Sequence, residues 1–154
     1  MDTNPLARLA RLGFQLPPVS PPKGAYIPAV RSRDLVFVAG QVPMQDGELV
    51  RTGVVGDDVT IAEARELTER CILAALAAIH EEAGLDRVSQ VLKVIGYVRS
   101  AEGFTDQAKV MDAASDLLVA VFGHVGRHAR TSIGVSELPL GSPVEVELTV
   151  EVMP

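Results

Sequence analysis

The most regular hydrophobic pattern lies at residues 144–152, where Val144, Val146, Leu148, Val150 and Val152 alternate with Glu145, Glu147, Thr149 and Glu151. A period of two places the apolar set on one face of a β-strand and the polar set on the other. Residues 130–135 alternate in the same way, with Thr131, Ile133 and Val135 set between Arg130, Ser132 and Gly134. The connecting LPLGSP carries Pro139, Gly141 and Pro143, a turn composition, so an antiparallel hairpin is expected. In that register Arg130 and Ser132 would share a face with the glutamates.

Earlier in the chain, Asn4 before Pro5 reads as a helix start and Gly13 as its end, with Leu6, Leu9 and Leu12 as the buried stripe. The proline-rich LPPVSPPKG at 16–24 is expected to be extended and superficial. Residues 29–30 and 35–39 read as strands joined around 31–34. The second of these, LVFVA, is apolar on both sides and calls for cover on both. Gly40 and Gln41 follow it; a glycine there admits a ligand close to the backbone, or marks a bulge. Asp46-Gly47 is a turn signal before residues 48–50.

Thr60 and Glu63 match a capping box that opens a long helix to Ala83, with Gly84 as its stop. Ile61, Ala64, Thr68, Ile72, Ala75 and Ile79 fall on one helical stripe. Residues 91–99 form a third strand. A second long helix spans 104–123, with Ala114, Leu117, Leu118, Val121 and Phe122 as its apolar contacts. Strands dominate the ends and helices the middle, and two helices cover one face of a sheet, which predicts a two-layer α+β domain. Arg130, Ser132, Glu145 and Glu147 would then lie on the uncovered side. Because residues 35–39 need that side covered, a homo-oligomer is the expected solution.

Composition narrows the function classes. A chain of 154 residues suits one domain with a substantial core. The apolar run through 73–79 is far short of a membrane span, and the N-terminus lacks a secretory pattern, so a soluble cytoplasmic protein is expected. The single cysteine, Cys71, excludes an internal disulfide and reads as a small buried residue in mid-helix. A net charge of −6, few aromatics and no Trp argue against nucleic acid. Arg127, His128 and Arg130 are the lone basic cluster, and Arg127 and His128 read as a solvated loop. His80, His124 and His128 lack metal-ligand spacing, and no glycine-rich phosphate loop links a strand to a helix, so neither metal nor nucleotide cofactor is expected.

Four stretches, GAYIPAV, LVFVAGQ, HARTSIGV and VEVE, in that order and spacing, resemble the RidA/YjgF family, also called endoribonuclease L-PSP. The likeness covers most of residues 23–152; the family-like domain is placed at 25–154, with 1–24 forming an N-terminal helix and proline-rich connector packed on it. It implies a chorismate-mutase-like fold, a mixed β-sheet with two main helices on one face, and a homotrimer with clefts between subunits. It further implies hydrolysis of reactive enamines and imines, such as 2-aminoacrylate and 2-iminopropionate, to 2-keto acids and ammonia, with no cofactor. Residue by residue, Arg130 matches the carboxylate-binding arginine, Glu145 the first glutamate of the last strand, Tyr26 the tyrosine and Gly40 the glycine before Gln41. Ser132 stands where a cysteine is common, Ala39 where a serine is, and Asp112 where asparagine is.

The chemistry asked of these residues is simple. A guanidinium holds a carboxylate through two parallel hydrogen bonds, the role given to Arg130. Hydrolysis also needs a group to move protons as water adds and the amine leaves, which suits Glu145. Tyr26, Gly40, Gln41 and Ser132 would orient the substrate, a small carboxylate-bearing imine or keto acid. Two other readings stay open: Arg130 and Glu145 as a plain ion pair, and a non-catalytic module that binds a keto acid in the same intersubunit cleft. A ribonuclease is disfavoured by the acidic charge, and Glu147 and Glu151 read as solvated or interface residues.

Overall fold

The computed structural model describes residues 4–154. The side chain of Asn4 caps helix α1 (Pro5–Arg11), accepting the N–H of Leu6 at 2.9 Å and of Ala7 at 3.4 Å. Of the expected leucine stripe only Leu9 is buried; Leu6 and Leu12 are 40% and 46% exposed. A seven-residue helix of two turns packed at the edge of the core buries a narrow line, and leucines three apart drift off that line. The proline segment that follows carries no regular structure and lies on the surface.

Strands β1 (Ala29–Ser32) and β2 (Leu35–Val38) form a hairpin around Arg33 and Asp34. A second, short hairpin joins β3 (Met44–Gln45) to β4 (Glu48–Leu49), with Asp46 and Gly47 both at positive φ, the combination a tight right-twisted hairpin requires. The capping box forms as expected at the start of α2 (Ile61–Ala83), where Thr60 and Glu63 exchange backbone and side-chain bonds. Ala64, Thr68, Ile72, Ala75 and Ile79 are all fully buried. Cys71 joins them, and burial, with the Glu145 charge second, pushes its thiol far up. Then come β5 (Val88–Arg99), α3 (Gln107–Phe122), β6 (Ala129–Val135) and β7 (Val144–Val152). Among the described residues no helix is long and apolar enough to cross a membrane.

The main sheet runs β1-β2-β7-β5-β6, with β6 parallel to β5 and every other pair antiparallel. Helices α2 and α3 cover one face, giving the mixed, two-layer α+β architecture. The valines of β7 are the centre of the core, from Val144 to Val152 at no more than 2% exposure.

The expected hairpin between β6 and β7 does not form. β5 lies between them, and the β5–α3–β6 crossover sets β6 parallel along one edge of β5 while β7 takes the other. The link from 136 to 143 arches over the end of β5: Ser100 N–H donates to Val135 and Arg99 N–H to Pro143. Face assignments change with the pairing. Arg130 aligns with Val94 and, across β5, with buried Leu148; Ser132 aligns with Gly96 and Val146. Both point toward the helices, so they do not share the glutamate face. Thr131 and Ile133 do, aligned with Ile95 and Tyr97 and through them with Glu147 and Glu145.

The open face is therefore a mixture of glutamates and uncovered apolar side chains. Val30, Phe37 and Ile133 are 48%, 47% and 42% exposed on it. The cover expected for residues 35–39 is absent on that side within one chain. On the other side Gly96 sets the approach of α3, because a β-carbon there would collide with Met111 Sδ and Cγ. Gly96→Ala is expected to lower stability by about 1–3 kcal/mol through overpacking, at the low end if Met111 swings aside. Urea denaturation with an unchanged m-value would check it.

Candidate active site

Beyond Val38 the chain of β2 continues beside β7 through one more bridge. Gln41 and Val146 exchange backbone hydrogen bonds at 2.8 and 3.0 Å, and Ala39 N–H donates to Pro28. The Gln41 side chain turns back to donate to the Ala39 carbonyl at 3.0 Å. This fixes Gly40 beneath the side chain of Glu145: a β-carbon on Gly40 would lie 3.0 Å from Glu145 Cδ and would overlap Oε1. Of the two readings of that glycine, close approach is the one realised, and the group approaching is a carboxylate of the same chain.

Over this point opens a cleft of about 270 Å³. Tyr26, Ala39, Gly40, Gln41 and Glu145 line it, with Lys23, Met44, Pro139 and Leu140 as walls. A larger groove of about 400 Å³ runs on beneath the proline segment toward Arg70 and Leu73 of α2, sharing Lys23 and Met44 with the cleft. Four expected site residues, Tyr26, Gly40, Gln41 and Glu145, thus meet in one place. Burial, and next the charge of Glu147, raise the Glu145 carboxyl above its ordinary value of 4.5. Burial and then the same Glu147 carboxylate raise the phenol of Tyr97, which flanks Glu145 across the strand pair.

Arg130 and Ser132 lie apart from this cleft, on the opposite side of the sheet. Arg130 donates from Nη1 to Asp112 Oδ1 at 2.9 Å and to Ser115 Oγ at 3.1 Å, both on α3. Nη2 reaches the Ala108 carbonyl at 3.4 Å. Its side chain keeps 21% exposure because β6 is an edge strand. The Ser132 hydroxyl is buried with no hydrogen-bond partner. Within one chain Arg130 and Glu145 do not pair; the carboxylate on Arg130 is Asp112.

Two residues assigned no role by the sequence matter here. Tyr97 becomes visible only once β5 is known to separate Glu145 from Ile133. His128 is not a solvated loop residue: its Nδ1 is 2.7 Å from the Gly126 carbonyl and its Nε2 2.9 Å from Ser115 Oγ. No spacing in the sequence links His128 to Ser115, which a helix and a turn bring together. Among the described residues no group of three or more His, Cys, Asp and Glu side chains is placed to hold a metal ion.

Known proteins resemble most of the chain. The family model described as "YjgF/chorismate mutase-like, putative endoribonuclease" matches residues 6–152. "Protein TCP17" of Trypanosoma cruzi is 40% identical, over 94% of this chain and 92% of its own. The 2-iminobutanoate/2-iminopropanoate deaminase of Dermatophagoides farinae is 29% identical, over 84% of this chain and 88% of its own. Among solved structures, Atu1372 of Agrobacterium tumefaciens, of unknown function, superposes with a TM-score of 0.89 at 36% identity, covering 97% of this chain and 93% of the other.

The raised carboxyl sets a sign for stability. The folded chain holds the Glu145 proton more tightly than the unfolded one, so stability falls as pH rises from 4.5 through the raised value. Glu145→Gln removes that loss. Its melting midpoint in scanning calorimetry is expected above the parent's at pH 7, the gap closing below about pH 4.

Proposed function

Because the chain belongs to the YjgF/chorismate mutase-like family, we propose that it hydrolyses reactive 2-imino acids and the enamines in equilibrium with them. The observation that carries this reading is the cleft itself: a half-buried carboxyl, Glu145, with its affinity for a proton raised, held over the backbone of Gly40 and facing Tyr26. A carboxyl that holds its proton more tightly than usual, and can take and return one, is what imine hydrolysis requires. The name of the mite relative supports the reaction class.

The anchor comes from another copy. Arg130 sits on an edge strand facing its own α3, on the far side of the sheet from the cleft. A homotrimer that covers the open, partly apolar sheet face sets the β6 edge of one subunit beside the Glu145 cleft of the next. The substrate carboxylate docks on Arg130, while Gly40, Gln41 and Tyr26 hold the imine end and Ser132 lies behind the arginine. Water adds to the imine carbon as Glu145 takes its proton. That proton passes to the nitrogen, giving the neutral carbinolamine; Glu145 then takes the carbinolamine hydroxyl proton and delivers it to the same nitrogen as the C–N bond breaks, so imine plus water gives keto acid plus ammonia. No charge is left over.

A second reading has its own observation. Asp112 already occupies Arg130, which weakens the pull on an incoming carboxylate and suits a module that binds a keto acid reversibly without turnover. Generating 2-aminoacrylate in the assay and following keto-acid release separates the two. The deaminase reading expects acceleration by the parent, a loss of about 10²-fold in kcat for Glu145→Gln, and a KM rise of about tenfold or more for Arg130→Ala. Mixing the two impaired variants at substrate concentrations well below the parent KM and letting subunits exchange should restore about one quarter of the parent activity, the chance that neighbouring copies supply both intact residues. Keto-acid binding without acceleration would favour the binding module, and no recovery on mixing would sink the shared site.

A further inference from the structure

The hydrogen bonds behind Arg130 have a fixed direction. A carbonyl can only accept, so His128 Nδ1, 2.7 Å from the Gly126 oxygen, is the protonated ring nitrogen. In the neutral ring Nε2 is then an acceptor, and the Ser115 hydroxyl 2.9 Å away donates to it. With its proton committed to His128, Ser115 Oγ offers only lone pairs to its other neighbour, Arg130 Nη1 at 3.1 Å. The second Nη1 proton goes to Asp112, so that nitrogen is fully engaged. Nη2 gives one proton to the Ala108 carbonyl. What remains is the Nε–H and one Nη2–H; with Ala108 taking the Nη2 proton on the Nη1 side, where Asp112 also bonds, these are two parallel donors at the spacing of a carboxylate's oxygens.

From this directionality we propose that Ser115 and His128 are positioning residues, which clamp the Nη1 end of Arg130 so that its Nε edge stands as a preformed fork for the ligand carboxylate. The inference rests on Arg130 being the carboxylate anchor. It explains why a histidine sits two residues before that arginine, and why its ring is tied at both nitrogens rather than left in solvent. An arginine held in its binding pose before the ligand arrives loses less freedom on binding, which is where the affinity comes from.

Calorimetric titration with 2-oxobutanoate tests it on the parent, Arg130→Ala, Ser115→Ala, Ser115→Thr and His128→Phe, with the melting midpoint and oligomer size of each recorded. Ser115→Ala and His128→Phe are expected to weaken binding about 3- to 10-fold, with Ser115→Thr, which keeps the hydroxyl, close to the parent. Arg130→Ala should lose binding altogether. If Arg130→Ala binds like the parent, or the parent does not bind, the anchor reading itself fails and the clamp with it. If only Arg130→Ala loses binding, the anchor stands and the clamp is refuted. Nitrogen NMR of the unmodified protein above pH 7 gives a check that needs no variant: a His128 ring protonated at Nδ1 agrees, and one protonated at Nε2 overturns the proposal.

Discussion

One constraint governs this molecule: a five-stranded sheet has helices on one face only. The valines of β7, with Val94 and Val98 of β5, take the covered side and are essentially without exposure. Everything ambiguous about the chain is on the other side, where Phe37 and Ile133 share a face with Glu145 and Glu147. Half-covered carboxylates next to apolar side chains cannot solvate fully, and the raised Glu145 follows from that setting. The strand order leaves β6 at the edge of the sheet, which is how Arg130 comes to be partly exposed.

The elements themselves were legible wherever the signal is local. A capping box, an asparagine before a proline and an Asp-Gly turn each satisfy their own backbone groups, and each appears where the residues say. The alternation of β7 also gave the correct buried face. What alternation cannot give is the neighbour of a strand, and for β6 that was decisive. Placing β6 next to β7 puts Thr131, Ile133 and Val135 in the core; placing it beyond β5 puts them on the open face with the glutamates. The rule that apolar means inward failed on β6 because its apolar side faces away from the chain's own helices. That failure carries information: an edge strand that turns Ile133 outward and Arg130 inward suits a sheet whose open face meets another copy.

The candidate site was legible in part, and the split has a physical cause. Tyr26, Gly40, Gln41 and Glu145 gather because β2 and β7 are neighbours through the Gln41–Val146 bridge, a contact between strands that already share a face. Arg130 and Ser132 lie two strands away on the reverse side, so no single copy can bring them to Glu145. His128 and Ser115 could not be read at all, since their contact depends on where α3 crosses β6, and Gly96 sets how closely α3 approaches β5 beside it.

The balance at Arg130 turns on Asp112. An incoming carboxylate about 4 Å from the guanidinium gains about 4 kcal/mol at the effective dielectric of a protein surface. Asp112, bonded to the opposite end of the same group, stands roughly 6–7 Å from that carboxylate and opposes it by about 2–3 kcal/mol on the same scale. Its own half-exposure screens the repulsion further. Attraction therefore survives, but by a margin thin enough that geometry has to supply the rest. Under the proposed role, a fork clamped by Ser115 would do so, because two parallel hydrogen bonds to a preset donor pair recover through alignment what the neighbouring charge takes away. Selectivity then favours a planar carboxylate over anions of other shape, since the field at the site is weak and the donor geometry is not.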